Sequence, residues 1–287
     1  MFEQTVGFLI PLFRGDKIVY IRTVKPSAIM QAFKEEEICA MLVVPRFLSL
    51  LKNTIERELS EKHLIGLLRF NITRKVISKS IHKKFGRSFQ MFITGGAALP
   101  VDVFTFWKKL GFRVIEGYGL TECAPIVSAN TFEEQIAGSV GKPLGNVKVK
   151  LDNNELLVKG ENVFSKYYQN PQETEKAFKD GWFRTGDYVD KDKNGNIFIK
   201  GRKKDVIVNA SGINIYPEEI EAILNKTAAI KESCVIGINK NDGEEVHAVV
   251  LLKNKNENIA EIIKSANEKL DPLAQITGFS VWLDFDF

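Results

Sequence analysis

At 287 residues the chain can bury a sizeable core and make more than one domain. With 44% hydrophobic and 26% charged residues it is excluded from the intrinsically disordered class. The formal net charge of +4 hides a basic block, because residues 62–87 hold eight Lys or Arg and no acid, leaving the remainder at −4.

The apolar run 6–13 is too short for a membrane span, is interrupted by Pro11 and follows Glu3 rather than basic residues, so neither a span nor a secretory leader is expected. Residues 3–13 read as a helix, 17–21 as a short strand, 26–36 as a helix and 39–44 as a buried strand, an alternation that predicts a mainly parallel sheet. Pro45 ends that strand, and 46–58 follows as an amphipathic helix. In the basic block, Leu64, Leu67, Leu68, Ile72, Val76 and Ile77 recur at helical spacing among Lys62, Arg69, Arg74, Lys75, Lys79, Lys83, Lys84 and Arg87. Such a helix is either a solvated face over a core stripe or a peripheral contact with an anionic membrane. Nucleic acid is not expected as a partner, because no aromatic-interleaved groove or binding motif accompanies the charge.

The most informative stretch follows. Two apolar runs, 90–94 and 112–115, each end in glycine-bearing turns: Gly95-Gly96-Ala97-Ala98-Leu99, and Glu116-Gly117-Tyr118-Gly119-Leu120-Thr121-Glu122. A helix opened by Pro100 and Asp102 and stopped by Gly111 joins them into a βαβ unit, with both loops at the carboxyl edge where open α/β sheets bind ligands. Glycines admit a flat or phosphorylated ligand, Tyr118 offers an aromatic face, Thr121 a hydroxyl and Glu122 a carboxylate able to hold Mg²⁺. Singly, each piece reads equally well as a turn, a core tyrosine or a helix cap. Together they suit a nucleotide.

From Gly138 onward the pattern changes to short strands at 147–151, 155–159, 182–189 and 197–200, with hairpin signals at Asp152-Asn153-Asn154 and Lys193-Asn194-Gly195-Asn196 and an inserted helix at 171–178. Beyond Lys204 come a strand at 206–209, a helix at 216–224, strands at 234–239 and 247–253, and a helix at 259–270, a small α+β unit. The expected fold class is α/β: a partial large parallel-sheet domain over 1–137, a β-barrel-like subdomain over 138–202, and a small, mobile C-terminal domain over 203–287. Cys39, Cys123 and Cys234, and likewise His63, His82 and His247, are scattered without metal-ligand spacing. They point to reduced thiols in a cytoplasmic protein, with no zinc site.

With Thr185-Gly186-Asp187 and Gly201-Arg202-Lys203-Lys204-Asp205 downstream, the ordered motifs resemble the adenylate-forming superfamily, closest to the long-chain fatty-acid CoA ligases. The resemblance implies an ATP-dependent acid–thiol ligase that activates a fatty acid as its acyl-adenylate and transfers it to coenzyme A. Gly95, Gly96 and Ala97 then line the adenine, Tyr118 packs on its face, and Glu116 and Gly117 add contacts. Thr121 bonds the α-phosphate, Glu122 binds Mg²⁺, and Asp187 and Arg202 hold the ribose. Lys204 is the hinge of the small domain, and Gly212, after Ser211, lines the pantetheine tunnel. Asn214 departs from relatives carrying arginine nearby, which leaves a phosphate contact there without support. Phe8, Leu9 and Phe13 are expected as walls of the acyl pocket or as plain core.

Two family segments have no match in the sequence: the Thr/Ser/Gly-rich phosphate loop before the region of Met1, and the lysine segment after Phe287. The chain therefore reads as a fragment of an enzyme about twice as long, with little activity alone, since each loss removes transition-state stabilisation. The alternative is a non-catalytic nucleotide- or acyl-binding module.

Overall fold

The computed structural model describes residues 1–23, 25–240, 243–254 and 257–282; the end of the expected third domain, 283–287, lies outside the described residues. The fold is mixed α/β and divides into two compact units. The first comprises Met1–Lys150, Leu157–Thr185 and Lys191–Ile199, the second Leu151–Leu156, Gly186–Asp190 and Lys200–Phe287.

The first unit is built on a five-stranded sheet in the order β1 (Ala40–Val43), β2 (Met91–Thr94), β3 (Arg113–Gly119), β4 (Ile126–Ala129), β5 (Lys142–Pro143). β1, β2 and β3 are parallel, whereas β3–β4 and β4–β5 are antiparallel. Its helices follow the sequence punctuation. Pro26 and Pro45 open Pro26–Glu35 and Pro45–Glu61 at positions where a missing N–H costs nothing. In Pro45–Glu61 the buried residues Leu48, Leu51, Ile55 and Leu59 recur at helical spacing. They join an aromatic core in which Phe33, Phe85, Phe89, Phe92, Trp107 and Phe112 pack ring against ring.

Four expectations are corrected. Residues 17–21 form no strand, because the β-branched run finds no ladder partner among the described residues. The N-terminal segment is helical from Phe2 to Arg14, with a π-turn over Thr5–Leu9, but buries none of its residues. Phe8, Leu9 and Phe13 are therefore not core in this fold; Phe13 is 95% exposed. In the basic block the helix Asn71–Phe85 buries Ile77, Ile81 and Phe85, while Ile72 (82% exposed) and Val76 (68%) face outward. Finally, β3 does not stop at Ile115 but runs to Gly119. Where its parallel pairing with β2 ends, β4 takes over as an antiparallel partner.

The second sheet, in the order β10 (Ile197–Arg202), β9 (Trp182–Lys191), β7 (Glu155–Lys159), β6 (Lys148–Asp152), has the short β8 (Phe178–Lys179) beside β9. The second unit holds the ribbon β11 (Ile207–Val208)–β12 (Asn214–Ile215) and a sheet of β13 (Ile230–Lys240), β14 (Gly243–Leu252) and β15 (Gly278–Val281). β13–β14 is antiparallel, and β15 joins β14 in parallel, a strand the sequence did not signal. Helices Pro217–Leu224 and Ile259–Asn267 supply Ile220, Leu224 and Ile263 to a core with Val235, Ala248 and Val250. No helix among the described residues is long and apolar enough to cross a membrane.

Candidate active site

β2 and β3 are parallel neighbours with Thr94 opposite Glu116, so the loop after β2 and the segment after β3 leave the sheet at the same edge. In the first of these, Gly96, Ala97 and Ala98 are exposed while Gly95 and Leu99 are buried. A Cβ on Gly95 would lie 3.0 Å from the Gly117 carbonyl oxygen, so the two backbones nearly touch. The loop is tied down by Glu116: the Leu99 N–H donates to Glu116 Oε1 at 3.1 Å. Glu116 is itself 3% exposed, and among the described residues its Oε2 has no hydrogen-bond partner, as is true of Thr94 Oγ1 across the register. Burial pushes the Glu116 carboxyl up to about 7, against the smaller opposing effect of the Leu99 amide. Asn130 frames the same corner, donating from Nδ2 to the Glu116 and Ser139 carbonyls at 3.3 and 2.7 Å.

Gly117 and half-buried Tyr118 lie within β3, paired with Ala129 and Ser128. At Gly119 a Cβ would sit 1.7 Å from the Pro125 oxygen, so only glycine lets the chain turn here. The turn Thr121–Cys123 then presents Thr121 to solvent and Glu122 half-buried. The Glu122 carboxylate accepts a hydrogen bond from Tyr167 Oη at 3.0 Å, and its carbonyl one from the Phe164 N–H at 2.8 Å. Asn162 Nδ2 donates to the Cys123 and Ile126 carbonyls at 2.9 and 3.2 Å. Burial pushes the neighbouring Cys123 thiol up to about 12, which keeps it protonated and unsuited to nucleophilic chemistry. Among the described residues no three His, Cys, Asp or Glu side chains converge as a metal cage.

The remaining expected site residues belong to the second unit. Asp187, buried, accepts from Arg202 Nε at 2.9 Å, so the two expected ribose-holding residues form an ion pair. Glu155 and Lys203 make a similar pair at 2.9 Å. Lys204 is exposed in the 3₁₀ turn Lys203–Asp205. Gly212 has φ +73 with open space where a side chain would project. Its loop is shaped by Asn209, whose Oδ1 accepts from the Ser211 and Ile213 N–H groups at 3.0 Å each while its Nδ2 donates to the Leu273 carbonyl at 3.1 Å.

Gly95, Gly96, Ala97, Glu116, Gly117, Tyr118, Thr121 and Glu122 thus belong to the first unit, and Asp187, Arg202, Lys204 and Gly212 to the second. The sequence reading missed Asn130, Asn162, Tyr167 and Asn209. Asn209 carried a usable signal, since an asparagine two residues before Ser-Gly is a side-chain-capped turn.

The family model described as AMP-binding enzyme matches residues 1–168, and the one described as AMP-binding enzyme C-terminal domain matches 219–284. The long-chain-fatty-acid–CoA ligase FadD15 of Mycobacterium bovis is 38% identical over 164 residues, covering 57% of this chain and 27% of that protein. The long-chain-fatty-acid–CoA ligase of Bacillus subtilis is 36% identical over 203 residues, 66% of this chain and 35% of that protein. Among solved structures, ATP-bound MatB from Rhodopseudomonas palustris superposes with a TM-score of 0.79 at 26% identity, over 99% of this chain and 55% of that one. The aligned part spans about a third of these curated relatives and about half of the solved enzyme. The first family model covers more than half the chain and includes both glycine-bearing segments, and on that ground the chain belongs to the AMP-binding enzyme family.

Proposed function

We propose that the chain is part of an ATP-dependent acid–thiol ligase acting on long-chain fatty acids. In the first step a fatty-acid carboxylate oxygen attacks the α-phosphorus of ATP and pyrophosphate leaves. In the second, the thiol of coenzyme A attacks the acyl carbonyl and AMP leaves. The observation that carries the reading is the shared sheet edge, where the exposed 96–98 backbone, the Tyr118 ring, the Thr121 hydroxyl and the Glu122 carboxylate belong to adjoining segments. The named relatives, both long-chain ligases, support the substrate class.

On this reading Gly95, Gly96, Ala97 and Tyr118 bind adenine, with Glu116 and Gly117 fixing the edge they form. Thr121 donates to the α-phosphate, Asp187 and Arg202 take the ribose hydroxyls, Lys204 is the pivot of the C-terminal part and Gly212 leaves room for the pantetheine arm. Glu122, a half-buried carboxylate, suits Mg²⁺, which takes one or two carboxylates and completes its shell with phosphate oxygens and water. When bound, the ion neutralises phosphate charge. The test is equilibrium binding of AMP and of non-hydrolysable acyl-adenylate analogues from C8 to C18. Affinity should rise with acyl length by about tenfold or more over AMP; affinity independent of length removes the long-chain claim and leaves a nucleotide-binding module.

A second reading concerns the basic block. Ile72 and Val76 stand exposed beside Lys75 and Lys79, with the Arg69 guanidinium 4.6 Å over the Phe70 ring, an arrangement suited to peripheral contact with anionic lipid. Flotation with anionic vesicles should then occur at low salt and fall on I72S/V76S substitution and at about 0.5 M salt. Equal flotation with neutral vesicles would contradict it.

A further inference from the structure

The Glu122 carboxylate is held from a segment forty residues downstream. After β7 the chain passes back over the Thr121–Cys123 turn, with Asn162 bonded to the Cys123 and Ile126 carbonyls, the Phe164 N–H bonded to the Glu122 carbonyl, and Tyr167 Oη donating to Glu122 Oε1. Tyr167 is itself firmly placed. Its ring packs on Phe164 at 4.7 Å, and Phe164 packs in turn on Phe178 and Phe183, both at 5.4 Å. Its N–H donates to Thr174 Oγ1 at 3.0 Å, and Thr174 belongs to the helix Pro171–Ala177, whose N-terminus is capped by the Asn170 side chain. Main chain and side chain of Glu122 are thus both tied to one strap.

We infer that Tyr167 is a positioning residue for the metal ligand: its hydroxyl occupies Oε1 and fixes the carboxylate rotamer so that Oε2 faces a nucleotide-bound divalent cation. The inference rests on the reading of Glu122 as that ligand. A carboxylate on a solvent-facing turn otherwise samples several rotamers, and each must be given up when the ion binds. A donor that has already selected one lowers that cost, which is how outer partners of metal ligands commonly alter affinity by 10- to 100-fold. The strap is joined to Glu122 by three groups of different kinds, a side-chain hydroxyl, a backbone N–H and, one residue on, a side-chain amide. Only the hydroxyl reaches the carboxylate; the other two groups reach backbone carbonyls.

The test uses the whole chain with Mn²⁺ as probe, measured by water-proton relaxation in the presence of a non-hydrolysable ATP analogue, beside AMP binding in EDTA. Tyr167→Phe keeps the ring and deletes the donor. The expected result is a loss of ~10-fold or more in Mn²⁺-dependent affinity, with metal-free AMP binding and the unfolding midpoint unchanged, and partial recovery in Tyr167→His. If Tyr167→Phe matches wild type while Glu122→Gln loses Mn²⁺, the positioning role is overturned and the metal reading stands. If Glu122→Gln retains full Mn²⁺ affinity, the metal reading falls and the inference with it. Equal losses of metal-free and metal-dependent binding in Tyr167→Phe would mark a structural role only, and also overturn it.

Discussion

Glu116→Gln will remove a pH dependence of stability that the wild-type chain carries between about pH 4.5 and pH 7. The folded carboxyl titrates at about 7 against 4.5 for the same group in water, so between those values the folded state holds a proton that the unfolded state has released. Its contribution is fully present below pH 4.5 and is lost as pH rises through 7, a total of about 3 kcal/mol for a shift of this size. The cause is desolvation: the flanking segments 91–99 and 126–130 carry no titratable side chain, and Asp102, on the helix that the 95–99 loop enters, is paired with Lys52 at 3.3 Å. Glutamine keeps the shape without the charge. Denaturant midpoints of the two proteins should therefore agree near pH 4 and diverge up to about pH 7, with the variant the more stable. Parallel curves would mean that the carboxyl is ionised throughout.

Trp107→Ala should be the most destabilising single change in the first unit, at about 4 kcal/mol. The indole is wholly buried, meets Phe85, Phe92, Phe106 and Phe112 with ring centroids 4.8 to 5.9 Å away, and donates from Nε1 to the Leu48 carbonyl at 3.3 Å. Alanine opens a cavity among rigid rings that cannot collapse into it, and removes the indole hydrogen bond as well. Trp107→Phe retains most of the volume and should cost about half as much. Chemical denaturation compares the two; a loss of ~1 kcal/mol or less in the alanine variant would mean that the aromatic cluster is loosely packed.

What could be read from the sequence was whatever local pattern determines. The runs 90–94 and 112–115 became adjacent parallel strands because short apolar runs bounded by glycine and separated by a helix have few other arrangements. Glu116 lies with Val114 on the buried face of β3, an alternation that the reading of Glu116 as an adenine contact did not use. Other features depend on contacts distant in sequence. Nothing near Tyr167 announces Glu122, and β15 is a strand only because β14 offers it an edge. Residues 17–21 have strand chemistry but no such edge, and Ile72 and Val76 share a helix with the buried Ile77 and Ile81 while facing the other way. Periodicity identified the helix; which of two apolar stripes packs inward was decided by the neighbouring elements.

The central claim, that these loops hold a nucleotide, is tested most directly by calorimetric titration of the chain with AMP. The account predicts saturable binding at one site per chain, weakened ~10-fold or more by Tyr118→Ala, where a stacking face is lost, and by Asp187→Asn, with both variants folded by circular dichroism. Absence of binding up to millimolar AMP, or binding indifferent to both substitutions, would contradict it.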